Sequence, residues 1–194
     1  MLQDIFLADL TAELPSAVRL QRLVRTLREY FRCGAVVLLQ LEDETLNPVA
    51  LEGLTREALG RRFEVSRHPR LAAILASRET IAFPPDSNLP DPYDGLVDNP
   101  TGEPLAVHDC MGISLYVEGK LWGALTLDAL QAGTFDAKAH DDLQRFTLLI
   151  EAAVRMTRLE QEVRGLRLVR SDHDAGDAPR SEGEILGQSS AIQR

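Results

Sequence analysis

What this chain has little of narrows it first. It carries only two cysteines, Cys33 and Cys110, so no disulfide framework holds it, and neither lies in a paired CxxC metal motif. No apolar run approaches the ~20 residues of a membrane span, and no secretory or transit segment opens the sequence. An excess of cationic residues is missing too. The 21 basic and 30 acidic residues leave a net charge of -9, which repels a phosphate backbone. There is no glycine-rich phosphate loop and no nucleophile elbow; Gly60, Gly112, Gly119 and Gly123 read as turns or close packing. Together these absences predict a cytoplasmic protein with reduced thiols, no membrane and no direct DNA contact by these residues.

What is present suffices for a core. With 194 residues at 44% hydrophobic content, a domain of about 150 residues plus a tail is expected. The stretch up to Leu14 is apolar without strong periodicity, a short helix or a loose arm. Val18, Leu20, Leu23, Val24, Leu27, Tyr30 and Phe31 recur at helical spacing, with Ser16 as N-cap and Gly34 as the left-handed residue past the end. Ala35 to Leu41 and Leu46 to Leu51 read as strands around Glu42-Asp43-Glu44. Short helices follow at Leu54 to Gly60 and, after a break at His68-Pro69-Arg70, at Leu71 to Ser77. Thr80 to Phe83 reads as a short strand, and Leu105 to Val117 pairs with Leu121 to Leu130 about a turn at Glu118-Gly119-Lys120.

Asp136 then caps a long helix whose first turns bury Leu143, Phe146, Ile150 and Ala153. Leu149, Ala152, Met156, Leu159, Val163 and Leu166 fall at alternating three- and four-residue steps, a heptad seam that predicts a homodimer through this helix. Ser171 to Glu184 reads as a flexible linker in which His173 is solvated, and the chain restarts at Ile185-Leu186-Gly187. The division expected is a sensor domain over 1–160, a helical extension and linker over 161–184, and the start of another domain over 185–194. The fold class is α+β: a twisted antiparallel sheet flanked by helices, with a long C-terminal signalling helix.

Chemistry concentrates between Pro84 and Leu130. A long loop rich in carboxylates and prolines, Pro84 to Gly102, reads as an ordered lid. His108 and Cys110 are two apart on a strand and share a face. If the following turn holds three residues, Asp128 stands opposite Cys110; a two-residue turn puts the two on opposite faces. Asp128 ends an apolar run, where burial without a partner is costly. Imidazole, thiolate and carboxylate together suit a first-row metal, iron or zinc, and Asp91 or Asp94 can join from the loop. Taken singly, each residue has an ordinary use: a strand cysteine packs, an Asp beside proline makes a turn, and Arg70 balances the acidic loop.

The runs Leu59-Gly60-Arg61-Arg62-Phe63, His68-Pro69-Arg70-Leu71, Leu89-Pro90-Asp91-Pro92-Tyr93-Asp94-Gly95-Leu96 and Gly123-Ala124-Leu125-Thr126-Leu127-Asp128 closely resemble the regulatory domain of the NorR family. These are nitric-oxide-responsive bacterial activators of sigma-54-dependent transcription. The resemblance implies a GAF fold holding one mononuclear, non-haem Fe2+ that binds NO. It places iron ligands at Asp94, His108, Cys110 and Asp128, and supporting or signalling roles at Arg70, Asp91 and Tyr93. A permanently protonated arginine belongs beside the metal rather than on it. Asp109 stands where the family is expected to carry a small apolar residue, which puts an added charge beside the ligands. Ile185-Leu186-Gly187-Gln188-Ser189 resembles the start of the family's AAA+ ATPase domain, the partner a NO-free sensor would restrain. On this resemblance the fragment is a sensor and not an enzyme. The alternatives are a GAF module for an organic small molecule, or an enzyme, either a Cys110-dependent reductase or an iron oxygenase.

Overall fold

The structure, a computed structural model, describes residues 2–97 and 109–176; His108 and the expected restart at Ile185 lie outside the described residues. The chain divides into two compact units, Met1–Glu160 and Gln161–Arg194. Helices α1 (Leu2–Thr11) and α2 (Ser16–Phe31) precede strands β1 (Ala35–Glu42) and β2 (Thr45–Glu52). A 3-10 turn at Arg56–Gly60 leads to the two-residue β3 (Phe63–Glu64), then α3 (Pro69–Leu75) and β4 (Ile81–Phe83). Strands β5 (Asp109–Val117) and β6 (Lys120–Ala129) form the central hairpin, and α4 spans Ala137–Gly176. The six strands pair antiparallel in the order β3-β2-β1-β6-β5-β4.

Several boundaries differ from expectation for local reasons. Ser16 is the first residue of α2 and Pro15 holds the cap position; the Ser16 hydroxyl donates instead to Glu160. The left-handed residue ending α2 is Arg32 (φ 51°), not Gly34. Gly34 serves close approach: its N–H donates to the Asp128 carbonyl at 2.8 Å, and a Cβ there would lie 3.2 Å from that same oxygen. The helix expected over Leu54 to Gly60 is only a 3-10 turn. Pro69 opens α3 rather than preceding it, its fixed φ suiting the first helical position. Helix α4 runs on through Gly176, past the expected linker start at Ser171, because extending an established helix costs little per residue.

The hairpin settles the register on which the site depends. The turn holds two residues, Glu118 (φ 54°) and Gly119 (φ 77°), and Val117 pairs with Lys120. Positive φ at both central positions is the twist a tight hairpin demands. Such a turn alone would place Cys110 and Asp128 on opposite faces. The ladder slips between Leu115 and Tyr116, however, so that Tyr116 pairs with Leu121 while Leu115 pairs with Gly123. Trp122 is the extra residue of this bulge, and one inserted residue flips the facing of everything beyond it. Cys110 and Asp128 therefore end up paired after all, by a route other than the three-residue turn.

The sheet has two unlike faces. Met111, Ile113, Leu115, Leu125 and Leu127 point toward α1, α2 and α4, where they cluster with Phe6, Leu27, Leu143, Phe146 and Ile150. As expected, Leu143, Phe146, Ile150 and Ala153 are the buried side of α4, and the Asp136 carboxylate caps it through the Ala139 N–H at 2.8 Å. Residues between these on the strands, including Cys110, Thr126 and Asp128, point the other way, under α3 and the Pro84 loop. Helix α3 lies close on this side: a Cβ on Gly112 would come within 2.5 Å of Ile74 Cδ1.

Candidate metal centre

Three groups meet on the loop-covered face. One ligand atom each from Asp91, Cys110 and Asp128 lies within 4.8 Å of the others. Cys110 and Asp128 arrive from paired positions on β5 and β6. Asp91 arrives from the loop, held by a buried ion pair: Arg70 Nη1 lies 2.6 Å from Asp91 Oδ2. Arg70 is fixed in turn by α3, donates from Nε to the Leu89 carbonyl at 2.8 Å, and stacks its guanidinium 5.3 Å from the Phe83 ring centroid. Asp91 Oδ1 accepts the Tyr93 N–H at 2.8 Å, the local turn that Asp makes two residues ahead of its partner. The lid is thus pinned by one planar cation reading both a carboxylate and a carbonyl.

Tyr93 is fully buried and closes the site from the loop side. Its ring meets Phe63 edge-on at 5.5 Å, and its Oη accepts a hydrogen bond from the Thr126 hydroxyl at 3.0 Å. Thr126 was not singled out by sequence, although it sits two residues before Asp128 and therefore shares its face. Asp94, expected among the ligands, is exposed, and its carboxylate is not among the three that converge. Its charge still reaches the site, since it raises the proton affinity of both Asp91 and Asp128. Asp91, expected in support, is the loop carboxylate within ligand distance. Asp109 does not crowd the ligands: it faces the other side of the sheet, where Oδ2 accepts the Phe135 N–H at 3.2 Å.

The electrostatics are severe. Asp128 is 1% exposed, and no described residue makes a regular hydrogen bond to either carboxylate oxygen, although the Cys110 thiol stands close enough to favour the charged form. Burial, and then the Asp91 charge, push its carboxyl well above the ordinary carboxylate range. Burial, and then Asp128, push the Cys110 thiol well up. Burial raises Asp91 too, against the opposing pull of the Tyr93 N–H and Arg70. An unsatisfied carboxylate this deep is costly, and such groups take up a proton, an opposite charge or a metal. Two carboxylates and a thiol at this spacing suit a divalent first-row ion, which would replace the protons and satisfy the orphaned oxygens of Asp128. The second cysteine plays no part. Cys33 packs in the helix-side core, where burial raises its thiol to about 12.

A GAF domain model matches residues 17–154. The nitric oxide reductase transcription regulator NorR1 of Cupriavidus necator is 62% identical over 186 residues, covering 96% of this chain and 36% of its own. The anaerobic nitric oxide reductase transcription regulator NorR of Serratia proteamaculans is 39% identical over 192 residues, or 97% of this chain and 38% of its own. The chain therefore spans little more than a third of the curated relatives it matches. The GAF domain of a phosphoenolpyruvate-protein phosphotransferase from Coxiella burnetii superposes with a TM-score of 0.64 at 20% identity, covering 83% of this chain and 94% of that one. A free methionine-R-sulfoxide reductase from Neisseria meningitidis gives 0.62 at 16%, covering 82% and 89%. Likeness at such identities concerns the fold alone. The chain belongs to the GAF domain family, and across nearly its whole length it is similar to NorR regulators.

Proposed function

We propose that this GAF domain is the nitric oxide sensor of a sigma-54-dependent transcription activator, and that Asp91, Cys110 and Asp128 help hold a mononuclear, non-haem ferrous iron. The orphaned Asp128 carboxylate facing Cys110 and Asp91 is the observation that carries this reading. Its proximity to NorR regulators, whose names tie them to nitric oxide reductase, supports the choice of NO as signal. Asp94 and His108 are the further ligands the family resemblance implies.

Ferrous iron supplies a coordination position at which NO can be taken up. The chain's own residues do the rest. Cys110 and Asp128 give up protons when the site fills, and Arg70 keeps Asp91 over the site by anchoring the lid. Tyr93, plugged into the loop-side core, excludes water from the carboxylates. The NO-free domain restrains its own AAA+ domain in the cytoplasm, and NO relieves that restraint. On α4, exposed Met156 and Leu159 offer a second copy of the chain part of a homodimer seam. These residues make no DNA or membrane contact in this scheme.

The test is EPR after anaerobic loading with Fe2+ and addition of NO. A half-integer-spin signal that is lost in Cys110→Ala and Asp128→Ala, and weakened in Asp94→Ala, is expected. A signal of unchanged size in Cys110→Ala removes that residue from the site. No signal together with blank metal analysis overturns the iron reading.

A further inference from the structure

Asp109 lies between two residues assigned to the metal site, yet its side chain works on the other face. It is the first residue of β5, pairs with Ala129 at the end of β6, and is 6% exposed. Its Oδ2 accepts the N–H of Phe135, whose ring is buried in the helix-side core. Phe135 stands immediately before Asp136, the cap of α4. A buried acid thus clasps the segment that leads into the output helix onto the start of β5, beside the cross-strand pair Cys110–Asp128.

We infer that Asp109 is the positioning residue that couples occupancy of the metal site to the start of α4. The inference rests on the functional reading above and deepens it. Filling the site fixes Cys110 and Asp128 against each other, and so fixes the adjacent pair Asp109–Ala129. That holds the Asp109 carboxylate in reach of Phe135 and the helix start in place. A change at the metal then reaches α4 across the thickness of one sheet, with no need to move the core. Coupling of this kind is reciprocal: whatever factor the metal adds to closure of the clasp, the clasp adds to metal affinity.

The experiment uses the 194-residue chain and Zn2+ alone, a diamagnetic divalent probe that thiolate and carboxylate also hold. Hydrogen exchange at the Phe135 amide is followed by NMR with and without Zn2+, and Zn2+ affinity is measured by competition with a chromophoric chelator. In the wild type, Zn2+ should slow exchange about fivefold or more, the lower end of ordinary couplings. Asp109→Ala should abolish that change and lower Zn2+ affinity by a similar factor. Asp109→Asn separates clasp from charge, because it keeps an acceptor for the Phe135 N–H and removes the anion; it should behave like wild type. Asn behaving like Ala would mean a charge effect only and would overturn the inference. So would Asp109→Ala binding Zn2+ as tightly as wild type. Failure of the wild type to bind Zn2+ or Fe2+ at all is a separate result, which overturns the functional reading and this inference with it.

Discussion

The two faces of the β5–β6 hairpin are made from alternate residues of the same strands, and they are put to opposite uses. Toward the helices, Met111, Ile113, Leu125 and Leu127 pack in an apolar layer, and the one β5 acid on that side, Asp109, has its carboxylate engaged by the Phe135 N–H. Toward the loop, Cys110, Thr126 and Asp128 stand one residue away, buried just as deeply, with two carboxylate oxygens that make no regular hydrogen bond among the described residues. The first face stabilises the fold whatever the conditions. The second costs stability until something fills it, which is the mark of a site rather than of a core.

Changes that break each face should separate the two. The largest loss is expected from Arg70→Ala, which strips a buried carboxylate of its cation and should cost about 3–5 kcal/mol in metal-free protein. That loss should shrink when a divalent metal is bound, as measured by denaturant unfolding with and without Zn2+. Leu125→Ala on the opposite face should cost about 2–5 kcal/mol, to the same extent with or without metal. A metal-dependent cost there would blur the distinction between faces.

Asp128→Asn should act in the other direction and stabilise the metal-free chain. A carboxyl raised on folding keeps its proton in the native state while the unfolded chain loses it. Native stability therefore falls as pH rises above the ordinary carboxylate range, until the buried carboxyl itself ionises. The advantage of Asn over Asp should grow across that window, by about 1.4 kcal/mol per pH unit at most, and vanish below it. Thermal melts of both proteins at several pH values check this; a gap that does not change with pH would contradict the buried, proton-holding carboxyl. The smallest effect is expected from Thr126→Val, which removes one hydrogen bond to Tyr93 and should cost about 1 kcal/mol.

Much of this contrast was legible in the sequence. Apolar runs on either side of a turn placed β5 and β6 as partners, helical spacing placed the buried side of α4, and Asp128 at the end of an apolar run marked the anomaly. The register was not legible, because two features cancel: a two-residue turn misplaces Asp128 by one position and the Trp122 bulge restores it. Nothing in Leu121-Trp122-Gly123 announces a bulge except a glycine, and that glycine also serves the close approach to Leu39, whose carbonyl would lie 2.0 Å from a Cβ. The loop was half legible. Pro-Asp-Pro-Tyr-Asp announced a stiff lid, but which acid turns inward depends on Arg70, nineteen residues before Leu89 and on another element. Asp109 was misjudged because charge in sequence next to a ligand need not be charge beside it in space, given that neighbours on a strand face opposite ways.

The most direct test of the account is an anaerobic titration of the chain with Fe2+ in which metal uptake and proton release are counted together. A buried carboxyl and thiol that hold protons must shed them as the ion enters. The account predicts one ferrous ion per chain, protons released with it, and loss of both in Cys110→Ala. Uptake without proton release, or uptake unchanged in that variant, would contradict it.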